Sequence, residues 1–230
     1  MLNVDIQTNT EKHPFAKVAV VEVDESRFEE LTQNESDRIE IAMATYALTD
    51  GSRAILNTGA DPCSILYITD TKSGVTLSGH FPEVDSEAEK NSLVSVITRK
   101  SEVLKDDASE LVLPTERQVK WMTNKEIVPG AAQLREMEAC IKKLVEESGA
   151  SNIEVHLFGQ NGVIFGEGAE KSQRMVDLAI EHTNLTLRLQ KTGVEASRII
   201  DHRSLTESKV DNTLYIPRLN TIFHYKQTQL

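Results

Sequence analysis

Cys63 and His80 are the residues of this chain best suited to covalent chemistry. A thiol titrates near about 8.5, so a cysteine becomes a useful nucleophile only beside a group that takes its proton or stabilises the thiolate. Histidine does both, and it can return the proton to a leaving group. The residues between them read SILYITD-TKS-GVTLSG, two apolar β-branched runs around a glycine-containing turn. That pattern predicts a β-hairpin whose strands pair antiparallel. Cys63 would begin one strand and His80 would end the other, so pairing brings them together. Backbone N–H groups near Cys63 could stabilise an oxyanion, although Pro62 has none to offer. The plain alternative is packing, because cysteine is among the most buried residue types.

The hairpin needs a frame. AKVAVVEV (16–23) reads as a strand, DESRFEELTQ (24–33) as a short helix, and IEIAMATYAL (39–48) as a strand. SRAILNTG (52–59), CSILYITD (63–70) and GVTLSGHF (74–81) follow as a strand series. Leu134, Met137, Ile141, Leu144 and Val145 mark an amphipathic helix ending at Gly149. IEVHLFG (153–159) is a strand, a longer helix spans about 170–192 to Gly193, VEASRIID is a strand, and TLYIP with TIFHYK forms a closing hairpin. The class is α+β, a mixed or antiparallel β-core layered as a sandwich with helices outside. One domain over 1–230 is expected.

Composition narrows the function. The chain has 230 residues, 39% hydrophobic, and a formal net charge of −11, which disfavours nucleic-acid binding. No apolar stretch reaches the roughly 20 residues of a membrane span, and MLNVDIQTNTEKHPF lacks the pattern of a cleaved leader. Two cysteines without CxxC spacing predict a cytoplasmic chain with reduced thiols, or one exported without a cleaved signal. His13, His182, His202 and His224 are scattered without metal-ligand spacing, so no metal is expected. His156 reads as a sheet-face histidine, Cys140 as packing, and Asp70 as a turn residue rather than a partner of His80.

Cys63, the apolar strand to Asp70, the glycine turn and Gly79-His80 together resemble the CheD family of chemoreceptor glutamine deamidases. LREMEACIKKLVEESGASNIEVHLFG is similar to that family's helix and following strand, VIFGEG to its next segment, and NTLYIPRLNTIFHY to its closing hairpin. The same Cys-to-His distance occurs in protein N-terminal asparagine amidases, and both groups resemble branches of the Cys-His hydrolase fold that includes the cytotoxic necrotizing factors.

The resemblance implies a cysteine-dependent protein deamidase with no cofactor, built as one CheD-like domain over 1–230 with an N-terminal extension over about 1–50 and an insertion over about 84–130. Cys63 attacks a glutamine or asparagine carboxamide of a protein substrate, His80 protonates the departing ammonia, and water hydrolyses the thioester. The family's third member is a threonine six residues before the cysteine. Here Asn57 holds that place and Thr58 follows it, so either stands as the third residue. Gly159, Gln160 and Asn161 replace the family's F-G-G-A-N loop and, with Gly79, are the expected substrate-binding residues. Asp61-Pro62 stands where the family has Gly-Ser, and Ala169 where it has Asn. Two alternatives remain open: an N-terminal asparagine amidase, and a catalytically silent binding module on the same fold.

Overall fold

The computed structural model describes residues 17–60, 63–81, 131–159, 178–179, 182–183, 185–205 and 209–228. Asp24 starts the first helix, α1 (Glu25–Asn34), by accepting a hydrogen bond from the Arg27 N–H at 2.9 Å. Phe28 and Leu31 of α1 are buried against Ala54, Leu56, Leu214 and Ile216. Those four belong to β4 (Ala54–Ala60) and β9 (Lys209–Ile216), so α1 covers the outside of one sheet.

That first sheet runs β1–β10–β9–β4–β2, with β1 (Ala19–Glu22), β2 (Arg38–Glu40) and β10 (Thr221–Thr228) completing it. The second runs β3–β6–β5–β7–β8: β3 (Thr45–Thr49), β5 (Ser64–Asp70), β6 (Thr76–Phe81), β7 (Ile153–Gly159) and β8 (Ile199–Asp201). Pairings β1–β10, β2–β4 and β7–β8 are parallel and the others antiparallel, so both sheets are mixed.

The outer face of the second sheet is covered by α2 (Ala131–Ser148) and by helical residues at 178–179, 182–183 and 185–191. Met137, Ile141 and Leu189 pack there on Leu66, Ile68, Leu77, Val155 and Leu157. The sheets meet through Ile55, Tyr215 and Ile222 on one side and Ile65, Tyr67 and Phe158 on the other. The result is an α+β sandwich of four layers, helix–sheet–sheet–helix. Central strands covered on both faces read as near-continuous apolar runs, which is why β5 shows no clean alternation, whereas β7 sets Ile153, Val155 and Leu157 on its helix face and Glu154 and His156 on the other. Among the described residues no helix is long and apolar enough to cross a membrane.

The single strand expected at 39–48 is two short strands in different sheets. The chain crosses between them at residues 41–44, with Ala44 at φ 66. An alanine gives no sequence sign of a left-handed turn, because Gly and Asn are the usual occupants. The hairpin at 63–81 forms as expected, with Gly74 at φ 79 donating to the Asp70 carbonyl at 2.7 Å. Residues 19–49 supply β1, β2 and β3 at the margins of both sheets. The segment at 84–130 lies outside the described residues.

Candidate functional site

Between β4 and β5 the chain passes from one sheet to the other, and Cys63 lies on that step. A bulge prepares the crossing. Asn57 stands opposite Thr213 and Ala60 opposite Asp211, so Thr58 and Gly59 together face Asn212 alone. Gly59 supplies the positive φ of 71, and its N–H donates to Asn212 Oδ1 at 3.0 Å. Thr58 and Gly59 are exposed, whereas Asn57 and Ala60 are buried.

Cys63 shares the core between the sheets with Ile65 and Tyr67, so its side chain faces the first sheet. His80 stands opposite Ile65 in the β5–β6 ladder. Directly opposed residues project to one face, which puts His80 on the same face as Cys63 and diagonal to it. Diagonal neighbours lie roughly 7–8 Å apart at their backbones, with side chains closer. Each of the two is only 4% exposed. Neither ring nitrogen of His80 has a hydrogen-bond partner among the described residues. Burial holds this imidazole below its ordinary range, which favours the neutral, proton-accepting form.

The other expected residues divide by face. Asn57 points inward, and its amide nitrogen donates to Tyr67 Oη at 2.9 Å and Ser78 Oγ at 3.1 Å. It therefore reaches the strand of His80 through Ser78, not the imidazole itself. Its Oδ1 is buried without a partner among the described residues. Thr58 is on the opposite, exposed side of β4 and is not brought to the pair. Gly79 also faces away. A Cβ there would meet Phe81 and Met137 on the helix side, so this glycine allows α2 to approach. Gly159, at φ 77, abuts the step itself: a Cβ would collide with the Cys63 carbonyl and Ala60. Gln160 and Asn161 lie outside the described residues.

Asp70 lies at the far end of β5 from Cys63. Its carboxylate accepts from the Lys72 N–H at 2.9 Å, Ser73 Oγ and, at 2.7 Å, Ser148 Oγ. Burial alone would raise its pKa, but these hydroxyl and backbone donors hold it below the usual range. It binds the turn to the end of α2. Cys140 is partly buried against the core beneath that helix.

Three histidines that look scattered in sequence converge at the other side of the layer. His156 Nε2 meets Glu154 Oε1 at 3.0 Å, and its Nδ1 meets His202 Nε2 at 3.0 Å. Glu154 also accepts from the Val18 N–H at 2.7 Å, with Arg198 at 3.7 Å. Its carboxyl is raised by burial but held low overall by the His156 and Val18 donors and by Arg198. The Glu154 carboxylate can only accept, so the proton in that bond sits on His156 Nε2. Burial, then the neighbouring His156 and His224, push His202 down to about 4. Phe158 stacks on His202 with ring centres 4.5 Å apart and takes His224 edge-on at 4.9 Å. Asp211 in turn accepts from His224 Nε2 at 2.8 Å and from the Gly159 N–H at 2.7 Å. The one legible sign was the spacing Glu154, His156, Phe158, alternate positions of one strand, which share a face. Among the described residues no cluster of three or more His, Cys, Asp or Glu side chains could hold a metal.

Two stacked mixed sheets with a thiol and an imidazole on diagonal positions of one hairpin define an α+β sandwich with a candidate Cys-His site. No protein-family model and no curated protein matches this chain. Among solved structures it is similar to YlmD from Geobacillus stearothermophilus, with a TM-score of 0.38 and 13% identity, covering 82% of this chain and 60% of that one. The chain thus spans under two-thirds of that structure's length, and a likeness this slight carries no argument about activity.

Proposed function

We propose that this chain is a cysteine-dependent amide hydrolase acting on side-chain carboxamides of proteins, as the resemblance to the glutamine deamidases implies. One observation carries the reading: Cys63 and His80 face the same way from diagonal positions, and the imidazole is kept neutral with neither nitrogen hydrogen-bonded among the described residues. His80 takes the Cys63 proton, and the thiolate adds to the carboxamide carbon. Collapse of the tetrahedral adduct breaks the C–N bond, and His80 gives its proton to the departing ammonia. The same imidazole then removes a proton from water, which adds to the thioester. The thiol leaves and the side chain becomes a carboxylate, one negative charge more than before. A cytoplasmic signalling protein bearing an exposed Gln or Asn is the substrate class.

The test is ammonia release and a one-dalton mass gain in receptor-derived proteins incubated with the full chain. Cys63→Ala should abolish both, and His80→Ala should slow the reaction by about 10²–10⁴. Release unchanged in Cys63→Ala would sink the proposal. The 4% exposure of both residues favours a second reading, a silent binding module on this fold. It forecasts slow, equal iodoacetamide labelling of Cys63 and Cys140. The hydrolase reading forecasts faster labelling of Cys63.

A further inference from the structure

Asp211 is fully buried, and both of its oxygens are used. One accepts from His224 Nε2 within the first sheet, and the other crosses to the Gly159 N–H at the end of β7 in the second. A carboxylate can accept from both donors at once, whereas a hydroxyl is shorter and an amide has one acceptor oxygen. Charged acceptors also make the stronger bonds.

The position of this cross-sheet bond is specific. Asp211 stands opposite Ala60, the last residue of β4. Gly159 stands opposite Ser64, the first residue of β5. The chain between Ala60 and Ser64 is the step that carries Cys63, so the Asp211–Gly159 bond ties the two ends of that step. Gly159 lies directly against the Cys63 carbonyl and Ala60, with no room for a Cβ. His80 is held separately, by ladder positions opposite Thr45 and Ile65.

We infer that Asp211, steadied by His224, is a positioning residue for the nucleophile: through Gly159 it fixes the backbone of Cys63 at the sheet-to-sheet step and so sets where the thiol stands relative to His80. The inference rests on the hydrolase reading above. Asp211 itself touches no reacting atom.

The test is the rate of Cys63 carboxymethylation by iodoacetamide at neutral pH, in the full chain with Cys140→Ser. It is measured with and without His80→Ala, for Asp211, Asp211→Ala and Asp211→Asn. With Asp211 present, His80→Ala should slow labelling by about tenfold, the scale of a thiolate stabilised by a neighbour. In Asp211→Ala the same change should cost less than about twofold, because two groups no longer held together stop coupling. Asp211→Asn should restore the His80 effect, since its Oδ1 can still accept from the Gly159 N–H. If Asp211→Ala does not fold by circular dichroism, Asp211→Ser, one bond too short to reach Gly159, takes its place with the same expectation. A His80 effect undiminished in a folded Asp211→Ala or Asp211→Ser overturns the inference and spares the hydrolase reading. No His80 effect even with Asp211 intact would sink the hydrolase reading, and the inference with it.

Discussion

The side-chain amide of Asn57, on one sheet, donates to the hydroxyl of Tyr67 on the other at 2.9 Å. The bond runs through the middle of the sandwich, where both residues are fully buried. Tyr67 Oη also meets Thr213 Oγ1 at 3.0 Å, so three strands share one phenol. Burial pushes that phenol up to about 12, which keeps it a neutral donor and acceptor.

Tyr67→Phe should therefore destabilise the fold. It leaves the Asn57 amide with Ser78 alone and strips a partner from Thr213. Buried polar groups that lose partners cost about 1–3 kcal/mol. Urea unfolding should show a lower midpoint at unchanged slope, and a midpoint equal to wild type would refute the assignment.

Asn57 and Thr58 separate cleanly by mutation. Asn57→Ala opens a hole and takes a donor from the buried Tyr67 and Ser78 hydroxyls, so a loss of about 1–3 kcal/mol is expected. Thr58→Ala alters an exposed side chain and should stay within about 0.5 kcal/mol, with Cys63 labelling unchanged. A large labelling defect in Thr58→Ala would show that the outer face of the bulge matters to the site.

Stability should fall with mild acid. His80 and His202 are both held below their ordinary range by burial, His202 to about 4. The unfolded chain then takes up these protons first, so their contribution is complete above about pH 6.5 and is lost as pH drops through the window below it. Asp70 and Glu154 are held low, so their contributions persist until about pH 4 and are lost only beneath it. The urea midpoint should thus decline between about pH 7 and about pH 5, and His202→Asn should shrink that decline. A flat midpoint across the window would contradict the burial of these imidazoles.

Gly159→Ala should be among the costliest single changes. A φ of 77 disfavours any side chain, and a Cβ would strike the Cys63 carbonyl. A loss of about 1–3 kcal/mol is expected from strain of this kind, read by thermal unfolding.

The elements around the site were legible because their signals are local. Gly74 announced the hairpin turn, Gly149 the end of α2, and the apolar spacing through Met137 and Ile141 the buried face of that helix. The third residue was harder to place. Sequence offered Asn57 and Thr58 equally, and the bulge that exposes Thr58 depends on Asp211 and Thr213, far along the chain. The histidine cluster was hidden for the same reason. His156, His202 and His224 meet only after β7, β8 and β10 have been ordered in two sheets, and no local spacing encodes that order.

Among the described residues the outermost strands have a further consequence. β1, β2, β3 and β8 are 4, 3, 5 and 3 residues long, while the strands they flank run 6 to 8. Short borders offer a second molecule little unpaired backbone to extend, which guards against edge-to-edge aggregation. Residues 19–49 provide three of the four. Cutting the chain ahead of Ala54 would remove β1, β2 and β3 and expose longer edges on β10, β4 and β6, the kind of edge that favours strand-to-strand association.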